Sequence, residues 1–322
     1  MKKLLTLCLA LVLVLSLAAS ASAKTLKIST ALSETDPLYI ALTEVFAAQV
    51  EEKTNGKIKV DVYSGGQLGS DEDVLEQAIL GDSVGVITDA GRLSNYVYEF
   101  GVLQAPYIAQ SYDEILKLFE TETYKDLCAQ LEPQGFKILS FNYFQGEREL
   151  FTKTPVAGPD DLKGLRVRSS GSQVVTATLE AMGANTSVMA WSEAYQALQQ
   201  QVIEGVEVHL SAAVGSSIQE VTGYLAFTGH QQLLTALVIS DSWFQTLSAE
   251  EQQILMDASQ AAGIAASESV IAKNDEYLQT LINGGIQVVE CDVDAFKANC
   301  ESVYETLGYQ DVKARLDAEL GR

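Results

Sequence analysis

The chain has 322 residues, nearly half of them apolar, and 43 acidic against 21 basic side chains give it a formal charge of −22. Such a surface repels nucleic acid and anionic lipid, so any anion site must be a local basic pocket, workable because salt screens charge over about 8 Å. Two histidines and four cysteines without metal-ligand spacing speak against a structural zinc site.

Residues 1–23 read as an export signal: Lys2 and Lys3, an apolar run from Leu4 to Ala18, then Ala21-Ser22-Ala23 as a cleavage site. The apolar run is shorter than the ~20 residues a spanning helix needs. The expectation is therefore an exported, soluble, periplasmic or extracytoplasmic protein. About 300 mature residues exceed what one hydrophobic core organises, which predicts two lobes. Beyond Cys8 in the leader stand Cys128, Cys291 and Cys300; a Cys291–Cys300 bridge and buried free thiols are both open.

Thr25 to Thr30 alternates as a strand, and Leu38 to Thr54 carries Leu42, Phe46 and Val50 at helical spacing until Asn55-Gly56 ends it. Lys57 to Tyr63 is a second strand, Asp71 to Leu80 a helix stopped by Gly81, and Val84 to Ile87 a short buried strand. This βαβαβ order predicts an α/β domain on a mostly parallel sheet. A helix from Tyr112 to Leu131 and a strand from Phe136 to Phe141 follow. The grammar then restarts with a strand at Leu165 to Arg168 and helices at Gln173 to Met182 and Ser192 to Gln201, which predicts a second α/β lobe. Ser248 with Glu251 three residues on forms a capping box, opening a helix to about Asn283 that is long enough to serve both lobes as a shared backbone or hinge.

Four segments stand out in order: Glu52-Lys53-Thr54-Asn55-Gly56-Lys57-Ile58-Lys59-Val60, Gly66-Gln67-Leu68-Gly69, Asp161-Leu162-Lys163-Gly164-Leu165-Arg166-Val167-Arg168, and Glu193-Ala194-Tyr195-Gln196-Ala197-Leu198-Gln199-Gln200 with Glu204-Gly205. Together they resemble the DctP-like extracytoplasmic solute-binding proteins of tripartite ATP-independent periplasmic (TRAP) transporters, over essentially the whole mature chain. The resemblance implies a periplasmic-binding-protein-like fold with a mixed, mostly parallel sheet in each lobe and a long helix shared between them. The lobes are expected at 24–146 plus 233–274 and at 147–232 plus 275–322. It also implies a monomer that closes on a small-molecule carboxylate, such as a uronate or a C4-dicarboxylate-like acid, and delivers it to the permease subunits in the membrane. No cofactor or metal is implied. A receptor feeding a sensor kinase, and a hydrolase or lyase acting on an organic acid, are the alternatives. Against the enzyme stands the lack of a Gly-x-Ser-x-Gly elbow or a phosphate-cradling glycine loop.

In that family the last arginine of the Asp161–Arg168 motif pairs with the ligand carboxylate, and an arginine about twenty residues earlier, here Arg148, adds a second contact. A guanidinium suits the role because its planar fork of donors matches a carboxylate and stays charged. Arg166 fills the motif's variable slot and is expected on the opposite strand face, at the surface. Trp191 is placed to lay a ring against the ligand with its indole N–H free to donate, while Tyr195 is expected in the core. Asp89, at the end of a strand, offers acceptors to ligand hydroxyls; Arg92 could neutralise it or bind a second carboxylate. Asp71 is a further polar candidate that could simply start its helix. Where many relatives carry an asparagine after Glu204-Gly205-x-Glu207, this chain has Val208, and His209 is the nearest substitute. His230 is expected to be structural.

Overall fold

The computed structural model describes residues 23–322. The export signal expected over 1–23 thus lies, apart from Ala23, outside the described residues. Strand β1 (Lys24–Ser29) leads to helix α1 over 37–53, where Leu38, Leu42, Phe46 and Val50 are all buried. A strict repeat of four exceeds the 3.6 residues of an α-helical turn. The π-wound middle of the helix, Leu42–Ala47, keeps the stripe on the core. Strand β2 (Ile58–Tyr63), helix α2 (Asp71–Ile79) and strand β3 (Val84–Asp89) complete the expected unit, with β1 parallel to both neighbours. A short helix α3 (Ala90–Leu93) follows.

The single helix expected from Tyr112 to Leu131 is two, α4 (Tyr112–Leu118) and α5 (Glu122–Leu131). The Thr121 hydroxyl accepts from the Tyr124 N–H at 3.2 Å and starts the second one afresh. The strand expected at 136–141 continues through 17 residues as β4 (Phe136–Thr152). After it come β5 (Arg166–Ser169), α6 (Gln173–Met182), β6 (Asn185–Val188), α7 (Trp191–Gln199), β7 (Gly205–Val208) and α8 (Leu210–Gly215). A second 17-residue strand, β8 (Tyr224–Ser240), precedes α9 (Asp241–Phe244), α10 (Ala249–Asn283), β9 (Gln287–Val289), α11 (Val293–Thr306) and α12 (Gln310–Leu320).

The strands form one mixed sheet in the order β2-β1-β3-β8-β4-β7-β5-β6, with β9 beside β8. The α/β class holds, and the parallel groups β2-β1-β3 and β7-β5-β6 are joined through the long antiparallel pair β4 and β8. Their direction fixes where a site can form. Asp89 at the end of β3 is level with Thr235 of β8, which faces Tyr143 of β4; Val208 at the end of β7 is level with Glu149 of the same strand. The C-terminal ends of the two parallel groups therefore face each other across residues 143–149 of β4.

Successive residues of these strands alternate between two apolar clusters. Val86, Leu150 and Val238 belong to one; Ile87, Phe151 and Ile239 belong to the other. The clusters lie on opposite faces of the sheet. Each unites both halves of the chain, the first joining Phe100 to Leu179 and the second Phe46 to Val206.

The capping box at the start of α10 is formed: the Glu251 N–H donates to Ser248 Oγ at 3.2 Å, and the Ser248 N–H to Glu251 Oε2 at 2.9 Å. Midway, Ser259, Gly263 and Ser267 share one face of this helix. That face meets β4 where its pairing with β8 slips, between Ile138 and Ser140, Ser140 and Tyr143, and Phe144 and Gly146. Serine hydroxyls take over the polar groups there. Ser259 Oγ is 2.7 Å from Ser140 Oγ, while Ser267 Oγ accepts from the Phe144 N–H at 2.9 Å and lies 3.0 Å from the Asn142 carbonyl. A side chain in place of Gly263 would collide with Asn142. Cys128, Cys291 and Cys300 are free thiols.

Candidate functional site

Strand C-termini are where α/β sheets offer ligands exposed backbone and side chains. Here four of them converge: Thr30 follows β1, Thr88 and Asp89 end β3, Arg168 lies near the end of β5, and His209 follows β7. They enclose a cavity of about 70 Å³ whose lining also includes Gln145 and Arg148 of β4. All seven residues singled out in the sequence, Arg168, Arg148, Trp191, Asp89, Arg92, His209 and Asp71, line it.

Arg168 reaches the cavity through its motif. Gly164 takes φ +84°, a left-handed turn costly for other residues, and directs the chain into β5. Val167 is buried on one face and Arg168 on the other. Arg166, two residues earlier, shares the face of Arg168, not the opposite one, because side chains alternate. It is nonetheless at the surface, at the start of the strand, paired with Glu204. Arg168 itself is 2% exposed; its Nε donates to the Met189 carbonyl at 3.0 Å, and its Nη2 has no partner. Among the described residues no carboxylate lies within salt-bridge distance of it. Burial, with Arg92 and Arg148 nearby, lowers the guanidinium to about 10 despite the opposing pull of Glu207 and Asp71. Its face lies 5.6 Å from the Trp191 ring.

The other two arginines are already neutralised. Arg148 forms a two-pronged pair with Glu207, Nε to Oε2 and Nη2 to Oε1, and Nη2 also donates to the Glu207 carbonyl at 2.8 Å. Burial opposes ionisation of Glu207, but the charge and hydrogen bonds of Arg148, with His230 close by, hold its carboxyl down at about 2. Arg92 is encircled by acids: Nε meets Glu72 Oε1 at 2.8 Å, Nη2 meets Asp71 Oδ2 at 3.4 Å, and Nη1 pairs with Asp89 Oδ2. Of the two roles open to it, Arg92 thus takes the neutralising one. Asp89 also caps α3, accepting from the Arg92 N–H at 2.9 Å. Asp71 is not the cap of α2; Ser70 is, through a box with Asp73, which leaves the Asp71 carboxyl to the cavity. Burial raises Asp71 to about 6, Arg92 pulling it back and Glu72 and Asp89 pushing it up.

His209 is 2% exposed with neither ring nitrogen partnered, and burial together with Arg148 lowers its imidazole to about 3. It is neutral at physiological pH, one nitrogen a donor and the other an acceptor. Val208 lines the cavity beside it as an apolar wall. The Trp191 indole N–H is not free as expected: it donates to Ser216 Oγ at 3.0 Å, so the residue presents only its ring. Tyr195 is half-buried and bonds Glu220 through its hydroxyl at 2.9 Å, outside both core and cavity. His230 is buried against Thr228 Oγ1, 2.8 Å from Nδ1, and faces Glu207.

Sequence reasoning missed Thr88, whose buried hydroxyl has no partner, and Gln145, whose amide donates to Thr235 Oγ1 at 2.9 Å. Thr88 could have been found from its place beside Asp89 at a strand end. Gln145 and Thr235 could not, because they meet only through the pairing of β4 with β8.

Two groups of parallel strands whose C-terminal ends face each other over a buried, carboxylate-free arginine define a two-lobed solute-binding protein. The chain belongs to the family described as bacterial extracellular solute-binding protein, family 7, which it matches over residues 28–311. It is 31% identical over 246 residues to the C4-dicarboxylate-binding periplasmic protein DctP of Rhodobacter capsulatus, covering 74% of this chain and 72% of that one. A TRAP periplasmic solute-binding protein of Actinobacillus succinogenes, solved with bound L-galactonate, superposes with a TM-score of 0.87 at 31% identity, covering 92% of this chain and 100% of that one. One from Ochrobacterium anthropi, solved with bound L-fuconate, gives 0.88 at 29% identity, with the same coverage.

Proposed function

We propose that this protein captures a hydroxylated carboxylic acid outside the cytoplasm and presents it to the membrane permease subunits of a TRAP transporter. The observation that carries this is Arg168, a buried guanidinium with an unpartnered Nη2 and, among the described residues, no carboxylate within salt-bridge distance. An uncompensated buried charge is costly, and a ligand carboxylate is what relieves it. Asp89, Thr88 and His209 then present acceptors and donors suited to hydroxyls. His209 supports binding over catalysis, because an imidazole lowered to about 3 is a poor general base at neutral pH. In this reading residues 24–146 with 233–274 close as a monomeric unit against 147–232 with 275–322, and 1–23 direct export. Among the described residues no helix is long and apolar enough to cross a membrane.

Thermal-shift and fluorescence titrations with L-galactonate, L-fuconate and succinate test the reading. At least one hydroxy acid should raise the melting temperature and change the emission of Trp191, a signal lost in Trp191→Phe and kept in Trp243→Phe. Absence of any shift with the hydroxy acids would sink it.

Binding should also depend on pH. Asp71 faces Arg92, Glu72, Asp89 and Arg168, and an anion seated on Arg168 cancels one of the two cations that hold Asp71 ionised. Asp71 therefore takes up a fraction of a proton on binding and keeps most of its charge at neutral pH. Affinity is highest below its free value of about 6 and declines as pH rises through that value. Calorimetry in buffers of different ionisation enthalpy should register the uptake, and Asp71→Asn should abolish it; an unchanged pH profile in that variant argues against the assignment.

A further inference from the structure

We propose that the acids ringing Arg92 in the cavity wall exclude a second carboxylate, so that the site takes acids with one carboxylate and a hydroxylated remainder; this rests on the receptor reading above. Three arginines line the cavity, and the donors two of them aim at carboxylates are spent. Arg92 donates from Nε to Glu72 and from Nη1 to Asp89 and holds Asp71 at ion-pair distance from Nη2, and Arg148 gives Nε and Nη2 to Glu207. Of the three, Arg168 alone lacks a carboxylate within salt-bridge distance among the described residues, and its Nη2 is buried without a partner. Three cations thus stand against four carboxylates before any ligand enters.

A first ligand carboxylate has its place on Arg168. A second carboxylate directed at Arg92 would meet Asp71 and Asp89, which line the same cavity. To pair with Arg92 it would have to compete with these acids, of which Asp71 is the most distant at 3.4 Å. A hydroxyl at the same position suits those oxygens, because it can donate to a carboxylate, and Thr88 adds an unpartnered hydroxyl close by. The acids around Arg92 thus work as a repulsive specificity element, accepting a hydroxyl and rejecting an anion.

Calorimetry with galactonate and galactarate, the same carbon chain with one and two carboxylates, decides the matter. Galactonate should bind at least about tenfold more tightly. Glu72 lies outside the cavity wall with 36% of its side chain exposed, so Glu72→Gln should leave the fold intact while freeing part of the Arg92 charge. That variant should narrow the preference at least about threefold. Galactarate binding as tightly as galactonate overturns the inference and leaves the receptor reading standing. An unchanged preference in Glu72→Gln removes selectivity from the Arg92 cluster. Binding of neither acid removes the hydroxy-acid reading and the inference with it.

Discussion

Replacing Arg168 by methionine is expected to remove most of the affinity for a carboxylate ligand while leaving the protein at least as stable as before. Two charge-assisted hydrogen bonds from a guanidinium fork contribute about 1.5–3 kcal/mol each, so the dissociation constant should rise about 100-fold or more. Stability moves the other way because the folded state depresses the guanidinium from its ordinary 12.5 to about 10. A base lowered on folding carries its charge at a cost that is present in full at neutral pH and relieved only as pH rises through the folded value. The depression corresponds to a few kcal/mol. Methionine keeps much of the stem and discards the charge. Urea unfolding and calorimetry on the one variant separate the two effects; a variant that binds normally, or one that loses several kcal/mol of stability, contradicts the account. Arg168→Lys should fall between, retaining charge without the fork.

Glu207→Gln should be the most damaging single change in the cavity's surroundings. Glu207 is fully buried and Arg148 nearly so, and removing one member of a buried pair leaves an uncompensated charge worth about 3–5 kcal/mol. His230 loses its acidic neighbour at the same time. Because the Glu207 carboxyl is lowered from 4.5 to about 2, the stability it contributes is complete above 4.5 and is lost as pH falls through 2. Denaturant titrations should show the wild-type protein losing this increment across that acid window and the variant lacking it from the start. A loss below about 1 kcal/mol at neutral pH would show that the pair holds nothing together. Exchanging both partners for methionine should recover most of the loss, since the orphaned charge then disappears.

These two outcomes also mark how far the sequence could be read. Arg168 was legible because everything that places it is local: Gly164 makes the turn, Leu162 and Val167 anchor the strand, and the arginine alternates onto the cavity face. The spacing of Asp89 and Arg92, three residues apart across one short helix, made their pairing one of two open roles for the arginine, and only the structure decides between them. The neutralisation of Arg148 was not legible. Its partner Glu207 lies 59 positions later and arrives only through the antiparallel pairing of β4 with β7. Glu72 and Asp71 come to Arg92 across twenty residues by the packing of α2 beside β3, so the degree of its encirclement was equally hidden. Strand β8 itself went unread, because Thr228-Gly229-His230-Gln231-Gln232 interrupts its apolar run with a polar stretch that bonds Glu147 and Glu149 of β4.

The serine face of α10 has a mechanical meaning. Ser259 and Ser267 grip β4 at the stretch where its ladder is uneven, so the strand is clamped where its own pairing is weakest. On the proposed closure that clamp is a fulcrum. The two ends of the sheet would turn about it as arms of a lever, and a small rotation near Asn142 would become a larger displacement at the far edges. The spine of the molecule would then stay still while its edges travel, and the buried hydroxyls of one helix would set the gearing between them.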